Sequence, residues 1–168
     1  MNKIIILGNS GSGKSTFTSN LANKLHIDFL HLDPIVYKYS WDKPEFKEME
    51  DKVSQLLTKD SWIIDGNFIN NALERFNQCD TIFFLDINRF VCVRSVLKRH
   101  RQYKGKHRDS RSDFCDERIT KNYLKWVFFD FYKTSRKTIL KIIKDNPDKN
   151  IIVFKNRKQI NNYLRGLK

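Results

Sequence analysis

Near the start of the chain, Gly8 to Ser15 read G-N-S-G-S-G-K-S and fit the pattern G-x-x-x-x-G-K-[ST]. The flanks are those the pattern needs. Ile4-Ile5-Ile6-Leu7 is a short, wholly apolar run, as expected of a buried parallel strand. After the loop, Phe17, Leu21 and Leu25 recur at helical spacing. Glycine lets the backbone approach phosphate oxygens closely, and the helix start offers unpaired N–H groups and the positive end of its dipole. The expected nucleotide-binding residues are therefore Gly8, Asn9, Gly11, Ser12, Gly13, Lys14, Ser15 and Thr16. Lys14 would reach the β- and γ-phosphates, and the Ser15 hydroxyl would ligate Mg²⁺.

A chain of 168 residues suits one domain, here taken as residues 1–168. With 40% hydrophobic and 13% aromatic residues it can build a core, which excludes a disordered chain. No apolar run approaches the ~20 residues of a membrane span. The apolar stretch after Lys3 opens the glycine loop, so no signal peptide is expected. Cys79, Cys92 and Cys115 are odd in number and widely spaced, which favours free thiols and a cytoplasmic location. The net charge of +13 favours phosphate-rich partners. Much of that charge lies in residues 98–111, with Arg99, Arg101, Arg108 and Arg111 beside His100 and His107.

Five apolar runs read as strands, at residues 4–7, 29–32, 62–64, 82–85 and 151–154. Helical patterns separate them. One begins with Asp42 as N-cap, Pro44 and Glu45, followed by Phe46, Met49, Val53 and Leu56 on one face. Others are expected at 70–78, 88–103 and 116–144, and after Arg157. The aromatic residues from Tyr123 to Tyr132 are expected to pack in the core on almost every side of their helix. Strands alternating with helices imply a parallel sheet covered on both faces, with ligands at the carboxyl ends of the strands.

Three carboxylates stand at such ends. Asp65 has the form of a magnesium-associated acid, and Gly66 beside it would let a ligand approach the backbone. Asp86 competes for that role, its plainer reading being an N-cap or turn carboxylate. Asp33, in His31-Leu32-Asp33-Pro34, would take the proton of an acceptor hydroxyl or orient it; the plainer reading is a turn residue before proline. Tyr37, Tyr39 and Trp41 would line a pocket or pack on the core. The basic segment reads as a flap whose arginines close over a triphosphate, as a nucleic-acid patch, or as a solvated helix end and loop with no ligand.

The stretches I-I-I-L-G-N-S-G-S-G-K-S-T, H-L-D-P, W-I-I-D-G-N-F, T-I-F-F-L-D-I-N-R and V-F-K-N-R-K-Q-I span nearly the whole chain. Together they resemble the P-loop kinases of the adenylate kinase type, and more narrowly the bacterial DNA topology modulation proteins. That resemblance implies a three-layer α/β/α sandwich on a five-stranded parallel sheet of order 2-3-1-4-5, with a helical lid at about residues 99–118. It also implies ATP and Mg²⁺ as cofactors, with an adenine site at Lys155, Asn156 and Arg157. The implied catalytic set is Lys14, Asp33, Arg99, Arg101 and Arg108, and the metal set is Ser15 and Asp65. The chain departs from the type where the acceptor phosphate would be gripped. It has no arginine before Arg75, and Asn67-Phe68 replaces the usual aromatic–proline–arginine after Asp-Gly. The expected activity is γ-phosphoryl transfer to a nucleotide, nucleoside or other small hydroxylated acceptor, by a monomer or homodimer without membrane contact. The alternative is a nucleotide-binding regulatory or DNA-associated protein with little transfer activity.

Overall fold

Short runs of β-branched and aromatic residues form the five strands of one parallel sheet. They are β1 (Lys3–Gly8), β2 (Phe29–His31), β3 (Trp62–Asp65), β4 (Thr81–Leu85) and β5 (Asn150–Phe154). The computed structural model describes residues 1–37, 46–71, 73–103 and 119–167. Strand order is β2-β3-β1-β4-β5, as expected. The inner strands β1, β3 and β4 are buried almost throughout, whereas β2 and β5 keep exposed residues at the edges.

The nine helices named here are α1 (Lys14–Leu25), α2 (Leu32–Val36), α3 (Lys47–Leu57), α4 (Glu74–Gln78), α5 (Arg89–Tyr103), α6 (Lys121–Lys125), α7 (Phe131–Lys133), α8 (Ser135–Asp145) and α9 (Arg157–Gly166). Alternate residues of each strand serve opposite faces, so the sheet supports two cores. On one face Ile5, Ile64 and Phe84 pack with Leu32, Val53, Phe76 and Ile139, which brings in α2, α3, α4 and α8. On the other, Ile4, Ile63 and Phe83 pack with Phe17, Cys92 and Ile160, which brings in α1, α5 and α9. Phe17, Phe83, Phe154 and Tyr163 meet there edge-on or stacked, with centroids 5.0 to 6.4 Å apart.

Several expected elements end differently. The strand expected at 29–32 stops at His31, and Leu32 turns directly into α2 with Pro34 in its first turn. The helix expected at 70–78 is divided between a 3₁₀ turn, Ile69–Asn71, and α4. The long pattern at 116–144 is a chain of pieces. From α6 it passes into a π-helical turn, Trp126–Asp130, then α7, and breaks at Thr134 (φ −117°, ψ −84°) before α8. Its aromatic residues are not enclosed all round. Val127 and Phe131 are buried, but Phe129 is exposed and rests on Phe128, which in turn meets the exposed Phe90. Asp42, Pro44, Glu45, Tyr39, Trp41, Arg108, Arg111, His107 and Cys115 lie outside the described residues. Of the expected lid, residues 99–103 belong to α5 and 104–118 lie outside the described residues. Among the described residues no helix is long and apolar enough to cross a membrane.

Candidate active site

The loop between β1 and α1 lies where the glycine pattern put it. Gly11 takes φ +77°, and a Cβ there would stand 2.4 Å from the Cys92 carbonyl oxygen. Only glycine lets the loop lie this close to α5. Gly13 caps α1 in the left-handed region with no side-chain hydrogen bond, and the first turn holds no acid. The helix therefore meets its N-terminus with donors and partial positive charge but no anionic group of its own. Lys14 is buried and folds back across the loop, its Nζ donating to the Asn9 carbonyl at 3.3 Å. Ser15 is half-buried and Thr16 exposed on the same turn.

Asn9 and Ser12 shape the loop from within. Asn9 is buried, donating through Nδ2 to Val127 O at 2.7 Å and accepting the Ser10 N–H at 2.8 Å. Ser12 is fully buried, and its N–H closes a turn onto Asn9 O. The π-helical turn leaves Val127 O available to the loop, which ties α6 and α7 to the glycine loop. Asn67 anchors the other side. Its amide donates to Gly8 O at 2.9 Å and accepts Gly8 N–H at 3.1 Å.

The three strand-end acids part company. Asp65 pairs in register with Ile6 and is buried. Its Oδ2 accepts from Thr18 Oγ1 at 3.1 Å and lies 2.9 Å from His31 Nδ1, a contact outside hydrogen-bond direction. Gly66 beside it does not leave room for a ligand: a Cβ there would meet Leu32 Cβ at 2.8 Å, so the close approach is to Leu32. Asp86 is neither N-cap nor simple turn carboxylate. Asn88 caps α5, accepting Phe90 N–H at 2.9 Å. Asp86 instead receives two bonds from Arg136, both 2.8 Å, and one from Lys155 at 2.5 Å. Burial alone would raise its carboxyl, but these cations outweigh burial and hold it below the ordinary range.

Asp33 stands on α2, reached by solvent but hemmed in by protein. That desolvation raises its carboxyl above the ordinary range. Lys14 opposes the rise, Asp65 adds to it, and Arg99 and His31 also oppose it. One acid thus senses the loop lysine, the buried acid and a helix arginine together. Tyr37 closes the same region, its phenol raised by burial, then by Asp33 and Tyr123. Its ring lies 5.9 Å from Phe68, which also meets Phe46 at 6.0 Å.

The basic residues divide as well. Arg99 is half-buried on α5 and donates to the Tyr123 hydroxyl at 3.3 Å, while Tyr123 and Ser10 share a short hydroxyl–hydroxyl bond. Arg101 is exposed two residues further along the helix. Asn156 caps α9, accepting Gln159 N–H at 3.0 Å, and Lys155 N–H donates to Gln159 Oε1 at 2.6 Å. Arg157 bridges from α9 to Ser95 Oγ at 2.6 Å and Gly11 O at 3.4 Å.

The sequence carried no positional signal for Tyr123, assigned to the core, or for Asn67, noted only as a departure from a pattern. Arg75 is the third such residue. It is fully buried on α4, stacked 4.9 Å over Phe76, and donates through Nη2 to Gly66 O at 3.1 Å. Burial lowers its guanidinium to about 10.

No family model and no curated protein sequence matches the chain. Solved structures do. A shikimate kinase from Acinetobacter baumannii in complex with shikimate superposes with a TM-score of 0.60 at 15% identity, over 98% of this chain and 92% of that one. A putative kinase from Chloroflexus aurantiacus gives 0.54 at 15% identity, over 96% and 94%. A deoxyadenosine kinase from M. mycoides with products dCMP and dCDP bound gives 0.52 at 19% identity, over 98% and 99%. With its parallel sheet of order 2-3-1-4-5 between helical layers, the chain has the fold of the P-loop kinases.

Proposed function

We propose that this chain is an ATP-dependent phosphotransferase acting on a small hydroxyl-bearing acceptor: a nucleotide, a nucleoside or another hydroxylated metabolite. The observation that carries the reading is the electrostatic meeting of Asp33, Lys14, Asp65 and Arg99 beside the uncapped start of α1. The residues present fit a polyphosphate. Gly13 and the first turn of α1 offer donors, and nothing stands within 4 Å of a Cβ built on Gly13. Lys14 already makes a single weak bond, 3.3 Å, that a phosphate oxygen would replace.

Ser15 and Asp65 supply the hard oxygen donors that suit Mg²⁺, which would neutralise charge on the phosphates when bound. Among the described residues no three His, Cys, Asp or Glu side chains cluster as a metal cage. The phosphates themselves would then complete the coordination. Asp33 would accept the proton of the acceptor hydroxyl as its oxygen bonds to Pγ and the bond from Pγ to the bridging oxygen of ADP breaks. Lys14 and Arg99 would hold the equatorial oxygens, with Arg101 and Arg108 as further candidates. The turn at Lys155, Asn156 and Arg157, beside Gly11, would border the base. A cytoplasmic location accords with the free thiols of Cys79 and Cys92, both buried and raised to about 11 by desolvation.

Transfer from ATP across a panel of nucleoside monophosphates, nucleosides and small hydroxylated acids and sugars tests the reading, with Lys14→Ala as control. Transfer to one acceptor that the variant loses by about 10²-fold or more is the expected result. Full turnover by Lys14→Ala would remove the basis of the mechanism.

A second reading draws on α5, where Arg94, Lys98 and Arg101 are all exposed at spacings of four and three. The narrower resemblance to DNA topology modulation proteins points the same way. Under it the chain binds DNA, with an affinity that falls steeply between low and physiological salt. Weak binding at low salt would dismiss it.

A further inference from the structure

The OH of Tyr123 stands between the phosphate loop and α5. It takes an Arg99 Nη2 bond of 3.3 Å on one side and shares a short hydrogen bond with Ser10 Oγ on the other. A phenol has one proton to give and lone pairs to receive, so both contacts are made together. Ser10 lies inside the glycine loop, and Thr120 caps the helix on which Tyr123 sits, accepting Tyr123 N–H at 3.1 Å. The hydroxyl is therefore held from its backbone and from the loop, and Arg99 is held from the hydroxyl.

Helix geometry separates the two described arginine candidates. Residues two apart on an α-helix differ by about 200° in direction, so Arg99 and Arg101 cannot face one cleft together. Arg99 is the half-buried one, and its charge opposes the rise in the Asp33 carboxyl. Arg101 is exposed. A long flexible arginine reaching into a cleft must lose rotamer freedom to be useful there, and a fixed acceptor at its tip supplies that ordering in advance.

We propose that Tyr123 is a positioning residue that fixes Arg99 over the phosphate loop, with Ser10 as its anchor, so that Arg99 meets the phosphoryl group in transit. The inference rests on the phosphoryl-transfer reading and goes beyond it by singling out one arginine and the residue that presents it. The transition state should feel the loss more than the ground state, because charge spreads over the equatorial oxygens only during transfer.

The test needs no acceptor. Binding of ADP with Mg²⁺ is measured by calorimetry with and without aluminium fluoride, which mimics the phosphoryl group in transit. In the wild-type protein the fluoride tightens ADP binding. Tyr123→Phe keeps the ring and its packing, and should leave ADP alone bound as before while cutting the fluoride-dependent tightening about tenfold. Ser10→Ala, which cuts the anchor from the loop side, should give a smaller loss of the same sign. Arg99→Ala should lose the most, and adding Tyr123→Phe to it should cost nothing further. Undiminished tightening in Tyr123→Phe, or an equal second loss in the double variant, overturns the inference and leaves the transfer reading standing. Failure of the wild-type protein to bind ADP overturns both.

Discussion

The Asn67 side chain pairs with both backbone groups of Gly8, accepting its N–H at 3.1 Å and donating to its carbonyl at 2.9 Å. It thereby extends the β1–β3 ladder past the end of the strands, after Ile6 opposite Asp65 and the Gly66 N–H bond to Ile6 O. The first residue of the glycine loop is gripped as though it were still in the sheet. Asn67→Ala should cost about 1–2 kcal/mol by denaturant unfolding and weaken ATP binding. Asn67→Asp should weaken binding more, because a carboxylate cannot donate to Gly8 O and would repel phosphates nearby. Unchanged nucleotide affinity in both variants would assign Asn67 to stability alone.

Asp33 carries opposite expectations for activity and stability. Its carboxyl is raised in the fold, chiefly by desolvation, from an ordinary value of 3.8. The native state therefore binds more protons than the unfolded state above that value, and stability falls as pH rises through the interval between the two. Asp33→Asn should melt at or above the wild-type temperature at pH 7 while losing about 10²–10⁴-fold in transfer rate. The acid limb of the wild-type pH–rate profile should lie above 3.8 and be absent from the residual activity of the variant.

The Asp86 carboxyl is shifted the other way. Burial opposes ionisation, but Arg136 and Lys155 hold the folded value below 3.8. Its contribution is present above the unfolded value and is lost as pH falls through the folded one. Asp86→Asn should destabilise the protein by about 1–3 kcal/mol at pH 7, discounted because Lys155 and Arg136 are partly exposed. The difference from wild type should shrink on acidification below 3.8, as followed by urea unfolding.

Arg75 is a buried cation that pairs with no carboxylate among the described residues, and burial brings its guanidinium down to about 10. Two of its nitrogens, Nε and Nη1, have no hydrogen-bond partner among the described residues. Arg75→Met, close in length, removes the desolvated charge and should leave stability within about 1 kcal/mol of wild type or raise it. It also releases Gly66 O, and turnover should fall as the Asp65–Gly66 turn loosens. A variant that keeps full turnover would show that this bond serves packing only.

Local signals were strongest where one residue type answers one physical need. The glycine loop was legible because Gly11 lies too near Cys92 O for any side chain, and the inner strands because apolar residues fill both of their faces. The helix through Met49 and Val53 was marked by its apolar face, whereas the cap of α9 at Asn156 came from the structure alone. By sequence the long aromatic segment reads as core, because its composition does not reveal a π-helical turn or the break at Thr134. Those two features decide which rings point inward, leave Phe129 exposed, and bring Val127 O to Asn9.

Hydrophobic pattern and the glycine motif by themselves determined the parallel sheet and the position of the glycine loop, because backbone stereochemistry and burial act over a few residues at a time, whereas the strand order followed only from the resemblance to the P-loop kinases. Only the tertiary structure decided what each charged residue does. Asp65, Asp86 and Asp33 end neighbouring elements in similar local sequence, yet one is bonded to Thr18, one is bound by Arg136 and Lys155, and one rises in pKa beside Lys14 and Arg99. Tyr123 meets Ser10 across 113 residues of chain, and Arg136 meets Asp86 across 50. Charge and hydrogen bonding depend on distance in space, which a linear sequence does not record.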